Sequence, residues 1–121
     1  MTTSAKAALA TLQAFDRVKG CCQPVAPPLS DSHADELAAL YRALGDPTRV
    51  QIIHILDAAA DPVCVCDFTA AFDLGQPTIS HHLAKLREAG IVTSFKRGIW
   101  AFYQLNPNMS AAARSAIQLM R

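Results

Sequence analysis

The 121-residue chain has no excess of charge of either sign. Lys plus Arg number 11 and Asp plus Glu 10, a formal net charge of +1. That excludes a uniformly basic, histone-like nucleic-acid binder. A local basic face is still allowed, because affinity for phosphates depends on where charges sit. No apolar run approaches the roughly 18 residues that span a bilayer, so no membrane partner is expected. The opening residues, Met1-Thr-Thr-Ser-Ala-Lys6, lead into a short apolar stretch broken by Gln13, Asp16, Arg17 and Lys19. A signal-peptide core and cleavage region are therefore not expected, and a cytoplasmic protein is. The chain has no Gly-rich phosphate loop and no HExxH, and no Cys/His arrangement declares itself as nucleophile and base, so an enzyme is not expected. Internal repeats and low-complexity tracts are also lacking.

Apolar residues are plentiful. At 51% hydrophobic the chain carries enough for one compact core, which excludes wholesale disorder. The first 20 residues have a loose helical spacing in Leu9, Leu12 and Phe15, ended by Gly20. Residues 23–32 hold three of the seven prolines and read as an extended connector. A helix is expected from Ser32, with Asp35 three positions on as in a capping box. Leu37, Leu40, Tyr41 and Leu44 continue it, and His33 falls in its first turn. Asp46-Pro47 restarts the chain as cap and first helical residue. The helix Thr48–Ala59 is apolar nearly all round, so it belongs at the centre of the core, and His54 reads as a core histidine.

After the Asp61-Pro62 break comes Val63-Cys-Val-Cys-Asp67 and a short helix with Phe68, Ala71 and Phe72. Leu74-Gly75 turns the chain, Gln76-Pro77 opens a helix running to Ala89, and Gly90 ends it. A short helix, a tight turn and a longer polar-faced helix make a helix-turn-helix. Beyond Gly90 the hydrophobic period falls from 3.6 to 2. Ile91–Phe95 and Ile99–Leu105 read as strands, with Lys96-Arg97-Gly98 as the hairpin tip. A final Ala-rich helix at 109–121 has Ala113, Ile117 and Met120 along one side. The fold class is mainly α with a small β-hairpin (α+β), a winged helix-turn-helix. Its organisation is an N-terminal helix or arm with a Cys pair (1–31), the winged domain (32–106) and a C-terminal helix (107–121).

Two features carry chemistry. At about 100° per residue, Ile79, Leu83 and Leu86 share the core face of the helix after Pro77, while Thr78, His81 and Lys85 share an exposed stripe with Ser80 beside it. Thr, Ser and His can bond base edges and Lys can pair with phosphate. Gln76 falls at the expected N-cap, where Gln caps poorly, and is read as reaching outward to a base. Lys96 and Arg97 at the wing can grip a phosphate or enter a minor groove. His81 and His82 point about 100° apart and do not readily chelate one ion. The second feature is sulfur. The four cysteines, Cys21, Cys22, Cys64 and Cys66, form two tight pairs that in a reducing cytosol are free thiols suited to soft metals. On an ideal helix Cys64 and Cys66 would point about 200° apart, whereas in an extended segment they point to the same side, so joint ligation is expected to need a helix start that is unwound or bends. Three thiolates suit As(III) or Sb(III), four suit Cd(II), Pb(II) or Zn(II), and two can hold Hg(II). Redox sensing by paired thiols, or metal buffering, stands beside metal sensing.

The stretches Ala43-Leu-Gly-Asp-Pro-Thr-Arg49, Val63-Cys-Val-Cys-Asp67, Gln76-Pro-Thr-Ile-Ser-His-His-Leu83 and Leu86-Arg-Glu-Ala-Gly-Ile-Val92 together resemble the ArsR/SmtB family of metal-responsive winged-helix repressors, over roughly residues 33–105. The resemblance implies a homodimer built from the terminal helices, double-stranded operator DNA as partner, and release when metal binds. It implies As(III), with Sb(III), as inducer held by Cys64 and Cys66. Thr69 stands where arsenic-responsive members often have a third Cys, so Cys21 and/or Cys22 would complete the site. Cadmium and lead sensors join N-terminal thiols to the same CxC, and that alternative stays open, as does Hg(II). The family's zinc site on the last helix is not expected, because residues 109–121 contain no His, Asp, Glu or Cys.

Overall fold

The computed structural model describes residues 22–121. The expected helix within residues 1–20 and Cys21 lie outside the described residues. The chain divides into two compact units, residues 1–38 and 39–121. In the first, residues 22–30 form neither helix nor strand, as the prolines require, and helix α1 (Asp31–Leu44) begins. Its cap is Ser30 and not Ser32: Ser30 Oγ accepts the His33 N–H at 3.3 Å. Either serine could serve, but the earlier start brings Asp31 into the first turn, where a carboxylate complements the helix dipole.

The second unit carries the remaining elements. Helix α2 (Pro47–Ala58) starts at Asp46, whose carboxylate accepts the Arg49 N–H at 3.1 Å. Strand β1 (Val63–Cys64) leads into α3 (Val65–Phe72), and α4 (Gln76–Glu88) follows the turn. Strands β2 (Val92–Arg97) and β3 (Trp100–Leu105) form the wing, and α5 (Ala111–Gln118) closes the order. Its N-cap is Ser110, whose Oγ accepts the Ala113 N–H. The sheet has three antiparallel strands in the order β1-β3-β2, where the sequence suggested a hairpin alone. Two residues are too few for a period-2 signal, so β1 was invisible to patterning.

The core is a three-way junction of α2, α3 and α4 against the sheet. Ile52 and Ile53 of α2, Phe68 of α3, Ile79, Leu83 and Leu86 of α4, and Ile91 are wholly shielded from water. The alternation of faces on α4 follows the expected spacing. The centre of α2 is one-sided, however: Gln51 and His54 are exposed. His54 is therefore a surface residue and not a core histidine, because the apolar stripe that includes Ile52, Ile53 and Leu56 leaves its side of the helix to solvent.

The exit from α4 is set by Gly90. It takes φ +75°, its N–H donates to Arg87 O, and the Ile91 N–H donates to Leu86 O. Those two bonds define a Schellman ending, which favours glycine at the left-handed position. Asn106 ties the far end of β3 to this turn: its Nδ2 donates to Gly90 O and its N–H to Ile91 O. The wing thus leaves the second helix of the helix-turn-helix at a fixed angle. At the other end, Arg121 donates from Nε and Nη2 to both Asp57 oxygens at 2.9 Å, fastening the tail beyond α5 to α2.

Truncating Phe68 to Ala should cost about 3–5 kcal/mol of unfolding free energy, measured by urea denaturation, because the cavity lies where three helices meet. The Asp57–Arg121 pair adds a pH dependence. The Arg121 guanidinium holds the Asp57 carboxyl below its ordinary 3.8, against a smaller opposing effect of burial. A carboxyl depressed by folding stabilises above its unfolded value and loses that contribution as pH falls through the folded one. The stability difference between wild type and Asp57→Asn should therefore be present at about pH 6 and shrink towards about pH 3.

Candidate functional site

Cys64 ends β1 and caps α3. With φ −72° and ψ 145° it is extended, as an N-cap must be. An N-cap side chain folds back over the first helical turn, and that places the two sulfurs together. The Cys66 thiol donates to Cys64 Sγ at 2.7 Å, and the Cys66 N–H donates to the same sulfur at 3.4 Å. Asp67 closes the capping box by accepting the Cys64 N–H on Oδ2 at 3.3 Å. The 200° separation expected for two residues of one helix does not apply, since Cys64 is not helical. Of the two cases that the sequence left open, Cys64 takes the extended one, and the helix proper starts after it. Cys64 is buried and Cys66 exposed. The hydrogen bond to Cys64 pushes the Cys66 thiol above its ordinary value, with burial and the Cys64 and Asp67 charges adding to it. Two thiolates side by side repel, and a cationic centre bound by both sulfurs takes the place of the thiol protons.

These two sulfurs can supply two donors. Among the described residues no group of three or more His, Cys, Asp or Glu is placed to hold a metal ion. The Thr69 hydroxyl is engaged, donating to Cys66 O at 2.8 Å. Cys22 is an exposed free thiol of the first unit.

Helix α4 begins one residue earlier than expected: Gly75 is the N-cap and makes no side-chain cap bond. Gln76 is thus the first helical residue and not the cap. It is exposed, as the outward-reaching reading requires. Thr78 and His81 are exposed and Ser80 is half-buried. Lys85 is exposed and lies 3.8 Å from Glu88, a surface pair of small energetic weight. Thr78, His81 and Lys85 share the outer side of α4, with Gln76 and Ser80 nearer its flank and Ile79, Leu83 and Leu86 buried behind. His82 faces the flank instead, with Nδ1 3.7 Å from Asp46 Oδ2.

The wing tip is shifted from the expected one. Lys96 and Arg97 belong to β2, with Arg97 opposite Trp100, and the two-residue turn is Gly98-Ile99. Gly98 has φ +65°, the glycine-favouring geometry of such a turn. Lys96 is free at the surface. The Arg97 guanidinium lies over the Phe95 and Phe102 rings at 5.8 and 5.6 Å, and the rings stack at 5.6 Å. This aromatic support, together with Arg87 donating to Ser94 Oγ at 3.3 Å between α4 and β2, was not foreseen. The alternation of Phe95 and Arg97 on one strand face was its only sequence signal. The assembled surface is a ridge of hydrogen-bonding side chains beside a cationic hairpin, a polarity that suits a nucleic-acid groove and its flanking backbone.

The described helices include none long and apolar enough to cross a membrane. Residues 46–94 match the family described as "Bacterial regulatory protein, arsR family", a stretch running from the α2 cap to the start of the wing. The arsenical resistance operon repressor of Escherichia coli (strain K12) is 42% identical over 78 residues, 64% of this chain and 66% of the relative, so the chain spans just under two thirds of its length. An arsenic resistance transcriptional regulator of Pseudomonas putida is 34% identical over 66% of this chain and 69% of its own. Among solved structures, HlyU from Vibrio cholerae superposes with a TM-score of 0.63 at 27% identity, covering 74% of this chain and 92% of that one. The helix-turn-helix, its wing and the extent of these likenesses agree: the chain belongs to the arsR family of bacterial regulatory proteins.

Proposed function

We propose that this chain is a transcriptional repressor that holds operator DNA as a homodimer and lets go when As(III), or Sb(III), is captured by its cysteines. Cys64 and Cys66 supply the first two thiolates, and Cys21 and/or Cys22 complete a trigonal set. Gln76, Thr78, Ser80, His81 and Lys85 face the major groove, and Lys96 and Arg97 hold the adjacent backbone or minor groove. The names of the relatives support the arsenical reading. The observation that carries it is the sulfur contact at the start of α3, because it joins the inducer's donors to the helix-turn-helix itself.

The coupling follows from the geometry of the cap. Capture of an ion by both sulfurs replaces the thiol hydrogen bond between Cys66 and Cys64 with two bonds to one centre, which fixes where Cys64 Sγ stands. Cys64 Sγ is also the acceptor that caps α3, so the exchange is felt at the first turn of the helix that leads into α4. The two reading helices of a dimer then lose the spacing that successive major grooves demand. A Cd(II)- or Pb(II)-driven version would use the same donors, with four thiolates in place of three.

Fluorescence anisotropy with the chain's own upstream duplex tests this. Arsenite should release the wild type. Cys64→Ser should bind DNA as before, since serine is itself a good N-cap, but resist arsenite. Full inducibility of that variant contradicts the proposal, and release by Cd(II), Pb(II) or Hg(II) but not by arsenite reassigns the inducer. Separately, His81→Ala should weaken operator binding by about 1–3 kcal/mol while leaving scrambled duplex almost unaffected, as expected for a base-edge contact.

A further inference from the structure

A cleft outside the reading stripe has no part in the function so far. It lies between the end of α1, the start of α2 and the second half of α4, with a volume of about 370 Å³. Arg42, Arg49 and Lys85 line it, with Glu88 as the carboxylate and Ala43 and Ala89 as small walls. Three cations line the cleft with one carboxylate, and the Asp46 carboxylate lies within reach of the Arg49 charge outside it, which leaves a local positive excess in a chain whose net charge is +1. The Arg49 Nε is buried and has no hydrogen-bond partner. A buried guanidinium N–H without an acceptor is uncommon in folded proteins and calls for one. Room is ample, since a water occupies about 30 Å³ in the liquid.

We propose that this cleft seats a backbone phosphate of bound duplex DNA, with Arg42 and Arg49 as its donors and Lys85 shared between the cleft and the reading stripe. This rests on the operator-binding reading above. The occupant follows from position. At about 100° per residue, Lys85 lies within about 20° of Thr78 and 40° of His81 on α4, and Ala89 continues that line into the cleft. A groove occupied by the stripe brings its flanking sugar-phosphate strand along the same edge. Lys85 is held only by its solvent-exposed 3.8 Å pair with Glu88, which a phosphate can displace. Arginine forks suit phosphate oxygens in particular. The wing would then hold the backbone on one side of α4 and this cleft on the other.

The chemistry of a phosphate is common to DNA and to a small free anion, and the experiment separates them. Anisotropy is measured at 50–200 mM KCl on the upstream duplex and on a scrambled one, for the wild type, Arg42→Gln, Arg49→Gln, Arg49→Lys and Glu88→Gln. Each phosphate contact adds about 0.9 to the slope of log K against log salt, so one contact per protomer in a dimer adds about 1.8. Arg42→Gln and Arg49→Gln should each lower the slope by about that amount on both duplexes. Between 50 and 200 mM the wild type should therefore lose about twelvefold more affinity than either variant. Arg49→Lys should retain most of the slope, and Glu88→Gln should tighten both complexes. Thermal melts check folding, and exposed Arg42 keeps the test informative if Arg49→Gln unfolds. Unchanged slopes in folded variants overturn the phosphate seat and leave operator binding intact. Unchanged slopes with Arg49-dependent thermal stabilisation by inorganic phosphate make the cleft a free-anion site, which also overturns it. Absence of duplex binding by the wild type overturns both readings.

Discussion

One residue, Cys64, both finishes a strand and starts a helix. As the last residue of β1 it pairs with Phe102 of the wing. As the N-cap of α3 its sulfur accepts the Cys66 N–H, and its own N–H is taken by Asp67. The first helix of the helix-turn-helix is thereby fastened to the sheet at the same residue that meets the second thiol. On the proposed mechanism, a change in charge or spacing at this sulfur would be felt by both structures that frame α4. Cysteine is an unusual capping residue. Its presence at a position where Ser or Asp would serve better for stability is consistent with a functional demand on the sulfur.

The rest of the fold holds α4 rigidly enough for that change to matter. Phe68 brings α3 into the centre of the core, and Ile79, Leu83 and Leu86 anchor α4 there without solvent contact. Packed interiors do not deform smoothly, so on the proposed mechanism a disturbance at the start of α3 would be passed on as a displacement. The Gly90 turn and the Asn106 bonds then carry the orientation of α4 into the wing. On the other flank, Asp46 caps α2 and faces His82 of α4. The Arg49 N–H depresses the Asp46 carboxyl, an effect opposed by burial and aided by the His82 and Arg49 charges. The outer stripe of α4 is thus supported from behind and along its edges.

Much of this was legible in the residues. The core face of α4, the Asp46-Pro47 start and the order of elements follow from periodicity and capping chemistry, which act locally. The misreadings share a cause: each depended on where a neighbour in space stood. His54 was assigned to the core because its helix is apolar in composition, yet only one side of α2 meets other elements. Strand β1 is two residues long and exists through its pairing with β3. Residue spacing left open whether Cys64 is helical or extended, because β1, which makes it an extended cap, gives no pattern of its own. The Arg42–Arg49–Lys85 cleft assembles three helices, and no sequence spacing announces it. The stripe on α4, by contrast, was found directly, because helical geometry alone places Thr78, His81 and Lys85 side by side.

The claim that capture of an ion begins at the α3 cap can be tested by amide NMR during an arsenite titration of the full chain. The signals of Cys64, Cys66 and Asp67 should move first and saturate at a fixed stoichiometry per chain, with those of α4 from Gln76 onward following in the same titration. Saturable arsenite binding that leaves the Cys64–Asp67 amides unmoved would contradict it.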